Sequence, residues 1–268
     1  MTEQIIFKLG SRCPNDAALT AGFEFAKSAG VPVRAYFLED EMLIKASRYS
    51  FSNEVRLFGA TRGLELHELR RETKSALRAM SREIRRRSND MDIETEFEAL
   101  NGDGPARIRD ASQQENVFVL GENQSARQLV RDFKQLTEIG GLRGVLMAGP
   151  GARQTGGPVS IVVHDMKAWK KGLPLLQSFL QMATSLRIFC IGDIIDHGED
   201  LIASFDNDFT GPVDVLGLRR FDQSRLVWEV ERTKTGLLFA MPSCPIIEGE
   251  KKLEALLRSL SCPLFVSL

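Results

Sequence analysis

Short apolar runs alternate along this chain with stretches whose apolar positions recur at helical spacing. That is the alternation of strands buried on both faces and amphipathic helices. Residues 3–9 form the first strand, ended by Gly10-Ser11, and Pro14-Asn15-Asp16 opens a helical pattern. In it Ala18, Leu19, Gly22, Phe23, Phe25 and Ala26 share a face, and Gly30 is a stop before a strand over 33–38. Such a strand–helix–strand unit demands a parallel pair with a right-handed crossover. Residues 41–91 read as helical and heavily charged around Leu64, Leu66, Leu69, Leu77, Met80 and Ile84, with a loop over 50–63. Strands follow over 93–100 and 117–120, separated by a short helix from Gly104-Pro105 to about Gln114. A helix over 125–137 and a strand over 144–148 complete a βαβαβαβαβ order.

The run 149–158 holds four glycines and two prolines and predicts a linker that joins no packed element. Beyond it the same grammar restarts. Strands are expected over 159–163, 186–191, 213–218, 236–240 and 263–268, with helices over 169–183, 198–205, 224–232 and 248–260. The expected units are 1–150 and 158–268, joined by 151–157. A repeat of this length signals two equivalent domains rather than a solenoid.

Composition narrows the classes. At 268 residues and 43% hydrophobic content, two cores of about 130 residues are feasible. The 35 basic and 36 acidic residues leave a net charge of -1, so no global field draws the chain to nucleic acid or anionic lipid. The start MTEQIIFKLGSRC lacks a signal-peptide pattern, and no long apolar run follows, so a cytoplasmic chain without membrane insertion is expected. Cys13, Cys190, Cys244 and Cys262 form no C-x-x-C pair and read as reduced, mostly buried thiols. With only His67, His164 and His197 besides, no structural metal is expected.

Phe7-Lys8-Leu9-Gly10-Ser11, then Asn116-Val117-Phe118-Val119-Leu120-Gly121, then the end from Leu256 to Val266 resemble the universal stress protein family's first strand, fourth strand and final helix and strand. Ile161-Val162-Val163-His164-Asp165 resembles its first strand again, and the paired halves are similar to the family's tandem members across nearly the whole chain. The resemblance implies an α/β fold of two tandem doubly wound domains, each a five-stranded parallel sheet with helices on both faces. The domains would pack as a pseudo-twofold pair through antiparallel last strands, 144–148 against 263–267, with a further homodimer left open.

Open parallel sheets bind ligands beyond the carboxyl ends of their strands, where strand order reverses. ATP-binding members of the family carry an aspartate after strand one and a glycine-rich loop after strand four. The first half places Leu9 where that aspartate would stand, and its fourth-strand loop keeps Gly121 but has Gln124 for the second glycine. Gly10, Ser11, Phe37, Gly121, Asn123, Ser125 and Arg127 are its candidate ligand residues, with Arg131 offering further charge, although helix and loop capping is the simpler role. The second half supplies Asp165 but reads Met241-Pro242-Ser243-Cys244-Pro245 after strand four, without glycine. Adenine nucleotide, ATP or AMP, is the candidate ligand, bound weakly and in the first half. His164 beside Asp165 could suggest acid–base work, but adjacent strand residues point to opposite faces, which makes a joint role awkward, and a structural histidine with a satisfied ring is the simpler reading. Cys13, after Arg12 and before a helix start, could have a lowered thiol pKa, but an ordinary loop cysteine is the simpler reading.

The arginines at 70, 71, 78, 82, 85, 86 and 87 with Lys74 are interleaved with Glu65, Glu68, Glu72 and Glu83. With few aromatics nearby, they read as a solvated helix of mixed ion pairs, and no nucleic-acid partner is expected. The leading function is a non-catalytic, stress-response or regulatory protein. One rival is an ATP hydrolase or nucleotidyl transferase, for which the S-G-G-x-D-S, H-I-G-H and G-x-x-x-x-G-K-S/T signals are missing. Another is an interaction module that meets an unknown protein partner through 41–91.

Overall fold

The computed structural model describes residues 4–10, 15–38, 53–55, 61–63, 66–100, 108, 110, 116–205, 208–218 and 222–268. Its first half contains β1 (Ile5–Leu9), α1 (Asp16–Ala29), β2 (Val33–Leu38), β3 (Asn53–Val55), β4 (Thr61–Gly63), α2 (Leu66–Met91) and β5 (Thr95–Leu100). After these come β6 (Val117–Leu120), α3 (Ala126–Ile139) and β7 (Gly144–Met147). The second half contains β8 (Gly157–Val163), α4 (Met166–Leu180), β9 (Ala183–Ile191), a 3-10 turn at Gly192–His197 and α5 (Gly198–Ala203). It closes with β10 (Val213–Leu218), α6 (Gln223–Arg232), β11 (Leu237–Ala240), α7 (Glu250–Ser259) and β12 (Leu264–Ser267).

Polar side chains fix the helix starts. Asn15 accepts from the Ala18 amide at 3.1 Å, Ser125 from Gln128 at 3.3 Å and Asp165 from Ala168 at 2.7 Å. Gly30 closes α1 in the left-handed conformation at φ 64°. The Asp165 cap also explains why α4 begins three residues earlier than its apolar pattern predicts. Two further differences are local. The stretch expected as a loop over 50–63 contains the antiparallel β3–β4 ribbon, and a 3-10 turn precedes the helix expected at 198. Residues 39–52 and most of 101–115 lie outside the described residues; of the expected short helix there, Ile108 and Asp110 are described, and both are helical.

Ten strands form one sheet in the order β10-β9-β8-β11-β12-β7-β6-β1-β2-β5, every pair parallel except β7 with β12. Each half therefore has the strand order 3-2-1-4-5, and the expected antiparallel seam is present: Leu264 pairs with Met147 and Ser267 with Gly144. Both faces of the sheet carry apolar clusters that run continuously across the seam. On one face α1 packs against α4. The Phe25 ring stacks on Phe179 with centroids 4.2 Å apart, and Phe265 lies 4.9 Å from Phe179. On the other face α3 meets α7, where Lys134 reaches Glu250 at 2.8 Å.

The glycine-rich connection is packed, against expectation. The Arg153 and Gln154 amides donate to the Ser261 carbonyl at 2.7 and 2.9 Å, and Ala152 is buried. Any side chain at Gly149 would collide with the Leu257 carbonyl, so this glycine serves a close approach to the end of α7.

Candidate functional site

The reversals of strand order fall between β1 and β6 in the first half and between β8 and β11 in the second. At the first, the Gly121 amide donates to the Lys8 carbonyl at 3.2 Å and the Asn15 amide to the Gly121 carbonyl at 2.8 Å, so the two loops are stitched together. Gly121 faces Leu9 and Leu19, whereas Gly10 lies directly against the Glu122 carboxylate. Gln124, buried, donates to that same carboxylate at 2.8 Å. The protein's own acid thus lies over Gly10, on the backbone that a ligand phosphate would approach.

The sequence-derived residues do not all gather here. Gly10, Gly121, Asn123 and Ser125 lie along the crevice, Ser125 as the cap of α3, with Asn123 and Arg127 exposed. The Phe37 ring is fully buried in the core between the sheet and α1, a consequence of β2 being covered on that face. Ser11 and Cys13 lie outside the described residues. Sequence reasoning missed Glu122 and a partly buried pair between β1 and α3, where Lys8 Nζ meets Asp132 Oδ2 at 2.5 Å and Gln128 holds Asp132 Oδ1 at 2.9 Å. An acid next to the retained glycine was the available signal.

At the second reversal, the fourth-strand loop is part of the core. Met241, Cys244 and Ile246 are buried, and Met241 and Pro242 press against Gly172 of α4. The Asp165 carboxylate is committed twice, to the Ala168 amide through Oδ1 and to His164 Nε2 through Oδ2 at 2.6 Å. Two expectations about this pair are corrected. β8 ends at Val163, so strand alternation does not hold His164 and Asp165 apart. Nor is the ring satisfied, since the buried Nδ1 has no hydrogen-bond partner.

Cys190, Cys244 and Cys262 are buried free thiols. Burial pushes their pKa up, to about 11 at Cys190 and about 12 at Cys244 and Cys262. A thiol that ionises so late is a poor nucleophile near neutrality. We expect all three to resist iodoacetamide at pH 8 in the native protein and to react at the free-thiol rate in denaturant, as peptide mass mapping would check. Among the described residues, no group of three His, Cys, Asp or Glu could hold a metal ion, and no helix is long and apolar enough to cross a membrane.

No family model and no curated protein matches the sequence. Solved structures do match the fold. A universal stress protein from Archaeoglobus fulgidus DSM 4304 aligns with a TM-score of 0.58 at 13% identity, over 98% of this chain and 95% of that one. A functionally unknown protein from Pseudomonas aeruginosa PAO1 aligns with a TM-score of 0.56 at 11% identity, over 99% and 92%. Likeness at this identity establishes architecture: the chain has the universal stress protein fold over nearly its whole length, consistent with two tandem domains.

Proposed function

We propose that this protein is a non-catalytic regulatory member of the universal-stress type, in which adenine-nucleotide binding is degenerate in both halves and persists weakly in the first. The observation that carries the reading is that both crevices are filled by the chain's own side chains. In the second half the filling is core: Met241 cannot leave without unpacking α4, nor Cys244 and Ile246 without unpacking the apolar cluster beneath α6 and α7. In the first half it is one half-buried acid, Glu122, held by Gln124. A rotatable carboxylate can move aside for a ligand, whereas a packed core turn cannot. The backbone amides from Asn123 to Arg127, leading into the start of α3, are then the donors for phosphate.

A carboxylate beside a phosphate is costly, because like charges brought together in an interface oppose binding. Glu122→Gln keeps the shape of the side chain and removes the charge. Isothermal titration should show weak ATP and AMP binding by the native protein and an affinity about tenfold higher in the variant, equivalent to ~1.4 kcal/mol. Tight magnesium-dependent ATP binding at two sites of the native chain would contradict the proposal, as would an unchanged affinity in Glu122→Gln.

A further inference from the structure

The charges on α2 are sorted, not mixed. At about 100° per residue, His67, Arg70, Arg71, Lys74, Arg78 and Arg82 fall within a stripe of about 120°, running ~22 Å along the helix. On the same count Glu68, Glu72, Glu83 and Asp90 fall on the other flank, with the buried Met80 and Ile84 between the two. Arg86 and Arg87 belong to that acidic flank: Arg86 bonds Glu83 and Asp90, and Arg87 bonds Glu83 and Asp16. Charges interleaved in the sequence are thus separated in space, and among the described residues no carboxylate forms an ion pair with Arg70, Arg71, Lys74 or Arg78.

The stripe is one wall of a groove of about 1240 Å³ between α2 and β5, the last strand of the sheet. Its floor is apolar, made by Leu77, Phe97 and Ala99, and no acid is among its described lining residues. The acids of β5 are on the opposite face, as strand alternation requires, with Glu96 tied to Arg34 at 2.6 Å. A chain carrying a net charge of -1 thus concentrates six basic side chains along one open groove.

We infer that this groove binds an acidic segment of a partner protein, with apolar residues interspersed, laid in extended form along α2. Carboxylates would meet the arginine wall, where the guanidinium fork suits bidentate pairing, and the apolar side chains would cover Leu77, Phe97 and Ala99. A stripe of this length accommodates about seven extended residues. Single-stranded nucleic acid fits less well, because successive bases need successive aromatic platforms and Phe97 is the one Phe, Tyr or Trp among the described lining residues. A bilayer surface fits less well too, since lipid headgroups in a plane do not reach a recessed apolar floor.

The test is selection from a displayed library of random peptides of about ten residues on the full-length protein at about 0.15 M salt. Enriched peptides should combine Asp or Glu with Leu, Ile or Phe, and should bind in fluorescence anisotropy. The double variant Arg71→Gln, Arg78→Gln should weaken an enriched peptide about thirtyfold, while Arg86→Gln on the other flank leaves it unchanged. Circular dichroism checks the fold, and Lys74→Gln serves as the milder second variant. The inference is overturned by enrichment without acidic residues, by indifference to these substitutions, or by tighter binding of oligodeoxythymidine or phosphatidylserine vesicles than of the enriched peptides.

Discussion

Phe25→Ala is expected to lower the melting temperature by about 10 °C. Removing a fully buried phenylalanine costs about 3–5 kcal/mol, and in a chain of this size each kcal/mol is worth roughly 2–4 °C. Few sites here have less room to collapse. The ring is stacked on Phe179 at an interplanar angle of 7° and lies 5.9 Å from Phe265, which is itself stacked on Phe239 at 4.9 Å. Phe25 comes from the first half and the other three from the second, so the cavity opens in the seam between them. Calorimetry should show both halves destabilised together. A shift below about 2 °C would mean that the seam repacks, contrary to the density expected of such a core. Phe23→Ala is the comparison. Phe23 stacks on Phe7 at 5.1 Å inside the first half, and its loss should separate the transitions of the two halves rather than shift them together.

The frame of this protein was legible because its boundaries are written in residues with one dominant use. Asn15 and Ser125 cap helices and Gly30 ends one, and the strands 33–38, 117–120 and 213–218 are short apolar runs between such signals. The antiparallel seam followed from the family resemblance and from the apolar character of both last strands. The site was less legible, for two reasons. Loss of glycines shows that a phosphate loop is incomplete but not what occupies it, and that depends on side-chain placement, as with Glu122 over Gly10 and Met241 against Gly172. The second reason is periodicity left unused: the acidic and basic residues of α2 alternate in sequence yet separate in space, which a count at 3.6 residues per turn exposes. The packed connection over 149–154 was hidden for a different reason. Glycine marks both free linkers and close backbone approach, and only the neighbour, here the end of α7, tells them apart.

Residues 1–150 made alone are expected to dimerise or precipitate, and adding residues 151–268 should restore a soluble one-to-one complex. In the intact chain, Val145, Leu146 and Met147 of β7 are fully buried, and the strand's outer edge is covered by β12 through four antiparallel residue pairs. Cutting the chain bares that edge together with Phe25 and the side of α3 that faces α7, an apolar surface beside a row of unpaired backbone donors and acceptors. The least disruptive cover is a second copy of the same strand. An antiparallel pairing is its own symmetry mate, so β7 of one copy can meet β7 of another about a twofold axis, as β12 meets it within the chain. Light scattering coupled to size exclusion would distinguish the outcomes. A stable, soluble monomer of 1–150 would show that the seam is not what holds β7, and the two halves would then have to be read as independent domains that merely touch.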